Sequence, residues 1–308
     1  MRSISLFLKT LILSVAVWLP CHSFAQIFEP FQGRYIYLPG SEVVNPDDQA
    51  FNNTQRDPLH ILETVVRFPV KFGNSGSFIV PDLTYKRYFQ RFDQWPQSYP
   101  QPSNADHFRL VLKGIVKVNE AWDILLLGGI AQGLDGGAAA TWDNNYYRFG
   151  GGFLKDLKNG NQFGIALQWV SEARIVVPIP VFKGSSQNNK WQYDVEGPRA
   201  VVEYNLNDNN RIRLEQKFDN DRITYSENNE GGQNNIETYN HTHLNYALGW
   251  SRRIKGPVFF NLSGGLSPLF LTTLYDGEEV SIETVRFSWE PAFSASIYVS
   301  VNPKDYID

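Results

Sequence analysis

Past residue 25 this chain has no cysteine; the single one is Cys21. No disulfide is available, so an exported chain of this length has to be held together by other means. Beyond the same point no stretch approaches 18 consecutive apolar residues, which excludes a helical membrane span. Gly150-Gly151-Gly152 is followed by no Lys-Ser or Lys-Thr pair, so it is not a phosphate loop. The Asn/Asp-rich segments 45–53 and 228–235 lack the spacing and closing glutamate of a calcium loop. No metal and no cofactor is expected. The balance of charge is acidic, with 28 basic and 32 acidic residues, and no nucleic-acid partner is expected. Aromatic residues, by contrast, make up 14% of the chain.

The first 25 residues set Arg2 and Lys9 beside an apolar run from Leu6 to Leu19 and end on Ser23-Phe24-Ala25. That pattern predicts a secretory signal peptide over 1–25, cleaved after Ala25, and a single domain over 26–308. Removing Arg2 and Lys9 leaves 26 basic against 32 acidic residues, a net charge of −6.

The remainder is organised by alternation. In Asp106–Val118, Phe108, Leu110, Leu112, Val116 and Val118 fall on even positions, and His107, Arg109, Lys113 and Lys117 on odd ones. A strand sends successive side chains to opposite faces, so this one has an apolar face and a basic face. Similar segments recur at Phe31–Leu38, Leu59–Phe72, Ser77–Gln90, Trp122–Leu134, Asn145–Leu157 and Gln162–Glu172. They continue at Arg199–Leu206, Arg211–Tyr225, Tyr239–Arg253, Val258–Leu271 and Ser281–Val301. Lys158-Asn159-Gly160-Asn161 carries Asn-Gly, a strong hairpin signal.

Short connections at 73–76, 119–121, 158–161, 207–210 and 254–257 alternate with long ones at 39–58, 91–105, 135–144, 173–198, 226–238 and 272–280. Bacterial outer-membrane barrels have short periplasmic turns and long extracellular loops. The expectation is an all-β, transmembrane antiparallel β-barrel of about 12 strands. Segment 173–198, with Pro178 and Pro180 in VVPIPVF, is read as one connection because proline disfavours a central strand.

Charge on the lipid face costs about 2–4 kcal/mol at the midplane, so the charged face is assigned to the lumen. That places Arg67, Lys71, Lys86, Arg109, Lys113, Lys117, Arg148, Arg199, Arg211, Arg213, Lys217, Arg253 and Arg286 inside. The acidic residues there are Glu63, Asp82, Asp123, Asp156, Glu172, Glu203, Glu215 and Glu290. Thirteen bases against eight acids predict an interior near +5. Such a lumen suits a narrow channel or small-solute transporter favouring anions, or a barrel plugged by its own ion pairs. Two other functions fit the same fold: a lipid-modifying enzyme, and a structural or adhesion barrel presenting Asn-rich loops. His241 and His243 share a face, with Asn245 and Ser251 further along it, but no motif links them to a nucleophile. No catalytic residue is assigned. Expected partners are outer-membrane lipid and lipopolysaccharide, the barrel-assembly machinery and small anionic solutes.

VRFPVKFGNSGSFIVPDLTYKRY, VVPIPVF followed by KWQYDVEGPRAVVEYNLN, and the closing EPAFSASIYVSV resemble an uncharacterised outer-membrane β-barrel family of Gram-negative bacteria, a domain of unknown function. The resemblance implies the fold and location in the cell outer membrane, and no activity. One departure is the terminus NPKDYID, where such barrels commonly end on an aromatic residue.

Overall fold

The structure, a computed structural model, describes residues 28–44, 46, 48–72, 77–136, 138, 144–157, 161–171, 175–225 and 236–301. The segment read as a signal peptide lies outside them.

Alternating sequence becomes long strands, which in chain order are β1 (Phe28–Leu38), β2 (Ser41–Glu42), β3 (Gln55–Arg56), β4 (Leu59–Arg67), β5 (Val70–Phe72), β6 (Ser77–Phe89), β7 (Phe92–Asp93), β8 (Ala105–Lys117), β9 (Trp122–Asp135) and β10 (Tyr146–Asp156). Next come β11 (Gln162–Val170), β12 (Ile175–Ser185), β13 (Trp191–Glu196), β14 (Arg199–Asn207) and β15 (Asn210–Thr224). The last are β16 (Ile236–Lys255), β17 (Val258–Asp276), β18 (Ser281–Phe287) and β19 (Glu290–Val301).

Fourteen of these form one closed antiparallel ring: β1, β4, β6, the run β8 to β17, and β19. The seam closes where β19 returns to β1, with Gly33 opposite Ile297. Closure leaves no long edge to pair with another chain. β5 prolongs β4 along β6, and β18 prolongs β19 along β17. The two-residue strands β2, β3 and β7 pair with one another over the long-loop end.

The expected 12 strands are therefore 14. Segment 173–198 is not one connection, because it supplies β12 and β13 to the wall. Adding two strands keeps the count even, so the alternation of loops could not expose the error. The prolines are tolerated for a geometric reason. Pro180 offers its carbonyl to Gly197 N–H on the β13 side. Its missing N–H, and that of Pro178 two residues before, face the same way, beyond the end of β13. Proline is accommodated where the ladder lacks a partner.

A second correction concerns Ser281–Val301, read as one strand. It breaks at 288–289, and the break reverses which face odd-numbered residues take. Val285 and Phe287 on β18 are buried inside, whereas Phe293 and Ile297 on β19 face outward. Arg286 consequently lies exposed on the outer face, not in the lumen.

The outer faces are apolar around the ring. Phe149, Phe153, Phe163, Ile165 and Leu167 form one exposed patch on β10 and β11, with Phe153 at 61% exposure. Aromatic pairs lie toward the short-turn end of β12 to β14: Phe182 stacks on Tyr193 at 4.6 Å and Trp191 meets Tyr204 at 4.7 Å. Inside, an apolar core fills the long-loop end. Ile36, Leu38, Leu59 and Ile61 meet Tyr239, Phe270, Leu274 and Phe287 there, beneath Phe51, Phe92 and Trp95 from the loops. Each such side chain contributes about 1.5–3 kcal/mol when fully buried.

Candidate functional site: the charged interior and its cap

Inward positions below the apolar core are charged, and their partners lie partly on adjacent strands and partly across the lumen. Three clusters result. The first joins four arginines to three glutamates. Arg34 on β1 forks both oxygens of Glu215 on β15, at 2.7 and 2.8 Å. Arg199 reaches Glu29 at 2.9 Å and Glu215 at 3.3 Å. Arg213 pairs with Glu29, and with Glu203 at 2.8 Å; Arg211 adds Glu203 at 3.1 Å and the Ser300 hydroxyl at 3.0 Å. Arg211 and Arg213 also sit over the rings of Phe259 and Tyr298.

The second cluster lies nearer the cap. Lys217 on β15 meets Glu63 on β4 at 2.5 Å and Asp219 at 3.0 Å. Lys86 on β6 binds Asp219 at 2.7 Å and Asp221 at 2.5 Å. Tyr88 donates to Asp221, His107 lies 3.6 Å from it, and His243 lies 3.6 Å from Asp219. The third cluster, toward the short-turn end, links Arg67 to Asp82 at 2.6 Å and Lys113 to Glu196 at 2.7 Å. Lys183 joins it through Glu196 at 2.7 Å and Asp194 at 3.7 Å.

Nine bases thus meet nine acids. Most of the expected +5 is offset by Glu29, Asp194, Glu196, Asp219 and Asp221, none of which sequence reasoning placed inside. Arg34 and Lys183 were missed with them. Asp219 and Asp221 were recoverable by carrying the odd-numbered face of β15 beyond Lys217. Glu29 precedes the point where the first strand was taken to start, and Lys183, Asp194 and Glu196 lie in the segment read as a loop.

The remaining assigned residues sit as follows. Arg109 is half-buried and donates to the Thr84 hydroxyl at 3.3 Å. Lys71 and Lys117 are exposed near the short-turn end. Glu290 is buried at the other end, paired with Arg56 from the loop strand β3. Arg56 is itself buried, stacked over Phe270 at 4.7 Å. This pair pins the loop layer to the barrel. Within the layer, Asp48 accepts from Ala50 N–H at 2.8 Å and from the Tyr99 hydroxyl at 2.9 Å.

His241 and His243 are fully buried. Asn245 does meet His243, at 2.8 Å, but Ser251 donates to Asn261 at 3.0 Å and not to a histidine. No acyl-transfer arrangement is assembled from these four residues. Among the described residues no group of three or more potential ligands could hold a metal ion. A small pocket of about 30 Å³ among Arg34, Glu215, Lys217, Asn245 and Ser263 is large enough for water.

No family model matches the chain, and no curated protein matches it. Solved structures do. An outer membrane channel from Pseudomonas putida F1 covers 92% of this chain and 100% of its own, at 8% identity and a TM-score of 0.39. Outer membrane phospholipase A from Escherichia coli covers 89% and 98%, at 12% identity and 0.36. The KdgM porin covers 88% and 99%, at 8% identity and 0.33. These neighbours are outer-membrane β-barrels. At such scores they carry no argument about activity, and the fold stands on its own strand pairing.

Proposed function

We propose that this chain is a barrel of a bacterial outer membrane, acting as a narrow channel for small polar solutes and closed in this structure. The apolar outer faces support membrane insertion, since a patch such as that on β10 and β11 exceeds what a soluble monomer leaves bare. On that reading the short turns are periplasmic, the long loops extracellular, and lipid is the partner the outer faces require.

The observation that carries the channel is the charged interior. A barrel needing only to be stable gains nothing from nine bases and nine acids paired inside it, because apolar side chains of the same volume serve as well or better. Ion pairs within the lumen can exchange partners, and they form a polar column from the short-turn end up to the apolar core under the cap. The balance of nine to nine supports weak rather than strong anion preference. The loop layer that carries Phe51, Phe92 and Trp95, with the apolar core beneath it, then acts as the gate, latched by Arg56 and Glu290.

Planar-bilayer conductance tests this. Wild-type protein stays mostly closed, and a Phe51→Ala, Arg56→Ala variant raises the open fraction at least tenfold. A folded barrel that stays silent in every cap variant refutes the channel.

A further inference from the structure

The wall of the ring is not equally tall throughout. β13 has six residues, fewer than the 9–11 tilted residues that cross a bilayer. It pairs with β12 only over Val181–Ser185, and β14 pairs with β15 only up to Lys217. Above the turn at 197–198, no described strand lies between Ile175–Pro180 of β12 and Phe218–Thr224 of β15.

The two edges flanking this gap are finished differently. The β15 edge turns inward and is satisfied: Phe218 N–H donates to Pro198, the Asn220 carbonyl accepts from Arg148, and Thr224 bridges Leu134 on β9. Gly133 allows the close approach, because any Cβ there collides with the Arg222 carbonyl. The β12 edge remains in the wall, and its open side carries positions 176, 178 and 180. Two of those three are proline and bring no N–H to leave unpaired. An unpaired donor in hydrocarbon costs several kcal/mol, so this edge is composed to stand open there. The inner face of β12 behind it is apolar and emerges gradually, from Ile179 at 5% exposure to Ile175 at 51%.

We propose that this gap is a lateral seam in the barrel wall, occupied by an acyl chain of a membrane lipid lying against Val177, Ile179 and Gln168. The proposal rests on the membrane placement above. Hydrocarbon is the matching occupant: the outer flank (Val176, Pro178, Pro180) and the inner lining (Ile175, Val177, Ile179) of this edge are both apolar, so the lipid-facing surface continues around the edge into the interior. Gln168, opposite Val177 on β11, marks where the lining turns polar.

The chain past residue 25 has no cysteine, so single spin labels can be placed in vesicles of purified phospholipid. Labels go at V177C in the seam, at L126C on the outer face of β9, and at S263C in the charged interior. Collision with oxygen reports hydrocarbon, and collision with a soluble nickel chelate reports water. The expected result is oxygen accessibility at 177 within twofold of that at 126, chelate accessibility equally low at both, and both low at 263. A label at 177 sealed from both probes, or open to the chelate, overturns the seam. A label at 126 open to the chelate overturns the membrane placement instead. If V177C fails to fold, judged by unheated gel mobility, Q168C reports on the same space.

Discussion

Lys86 gives the sharpest test of whether the interior is packed or watery. Its ammonium lies 2.5 Å from Asp221 and 2.7 Å from Asp219, and all three residues are buried. At an effective dielectric near 20, each contact is worth about 6 kcal/mol of attraction before desolvation is counted. Replacing Lys86 with Met removes both contacts and leaves the carboxylates in place. Asp219 keeps Lys217 at 3.0 Å; Asp221 keeps the Tyr88 hydroxyl and His107 but loses its closest cation. Losing one partner of a buried pair costs about 3–5 kcal/mol, and Lys86→Met should fall in that range. Urea unfolding of the refolded barrel, followed by tryptophan fluorescence and gel mobility, measures it. Adding Asp221→Leu removes the stranded charge, so the double variant should recover about 1–2 kcal/mol over the single one. A loss under about 1 kcal/mol for Lys86→Met would mean that water screens the site, and the closed interior would be refuted.

Other outcomes follow from particular contacts. Gly133→Ala should destabilise by about 1–3 kcal/mol, because the new methyl meets backbone on β15. Gly128→Ala, whose Cβ meets nothing, should change stability little; equal effects would contradict the pinch between β9 and β15. Glu290→Gln unlatches the cap and should increase protease cleavage within 39–58 severalfold while barrel unfolding shifts less; no change in cleavage would remove Arg56–Glu290 as the latch. The cap should also respond to pH. The Ala50 N–H and the Tyr99 hydroxyl hold the Asp48 carboxyl below its ordinary 3.8. Burial, then the bond to Asp48, push Tyr99 from an ordinary 10 up to about 12. A lowered acid stabilises above its ordinary value and a raised one below it. Loop docking is therefore strongest between pH 3.8 and 10 and weakens on either side, from 10 to about 12 at the basic end. Cleavage that stays flat from pH 3 to pH 11 counts against the contact.

Much of this molecule is legible in its alternation. β8 and its basic odd face, the antiparallel pairing of β10 with β11 and the even, antiparallel order of strands all follow from a period of two and the spacing of loops. The rest was hidden for identifiable reasons. Pro178 and Pro180 argue against a strand only if both of its edges must be paired, and on β12 one edge is open above β13. The reversal between β18 and β19 comes from an irregularity at 288–289, where alternation simply continues on the page while the faces exchange. The interior charge was overestimated because acids complete the clusters from places the pattern discounted, Glu29 at the start and Asp194 and Glu196 on the shortest strand. That Lys86 meets Asp219 and Asp221 depends on how β6 and β15 face each other across the ring, which no local pattern encodes.

Fractionation combined with gel mobility tests most directly whether the chain is a membrane barrel. Cells producing the chain are fractionated, and the outer-membrane fraction is run with and without boiling. The expected result is recovery in that fraction, only with detergent, as a compact fast-migrating band that shifts to full length on heating. Recovery in the soluble fraction without detergent, with one mobility at both temperatures, would contradict it.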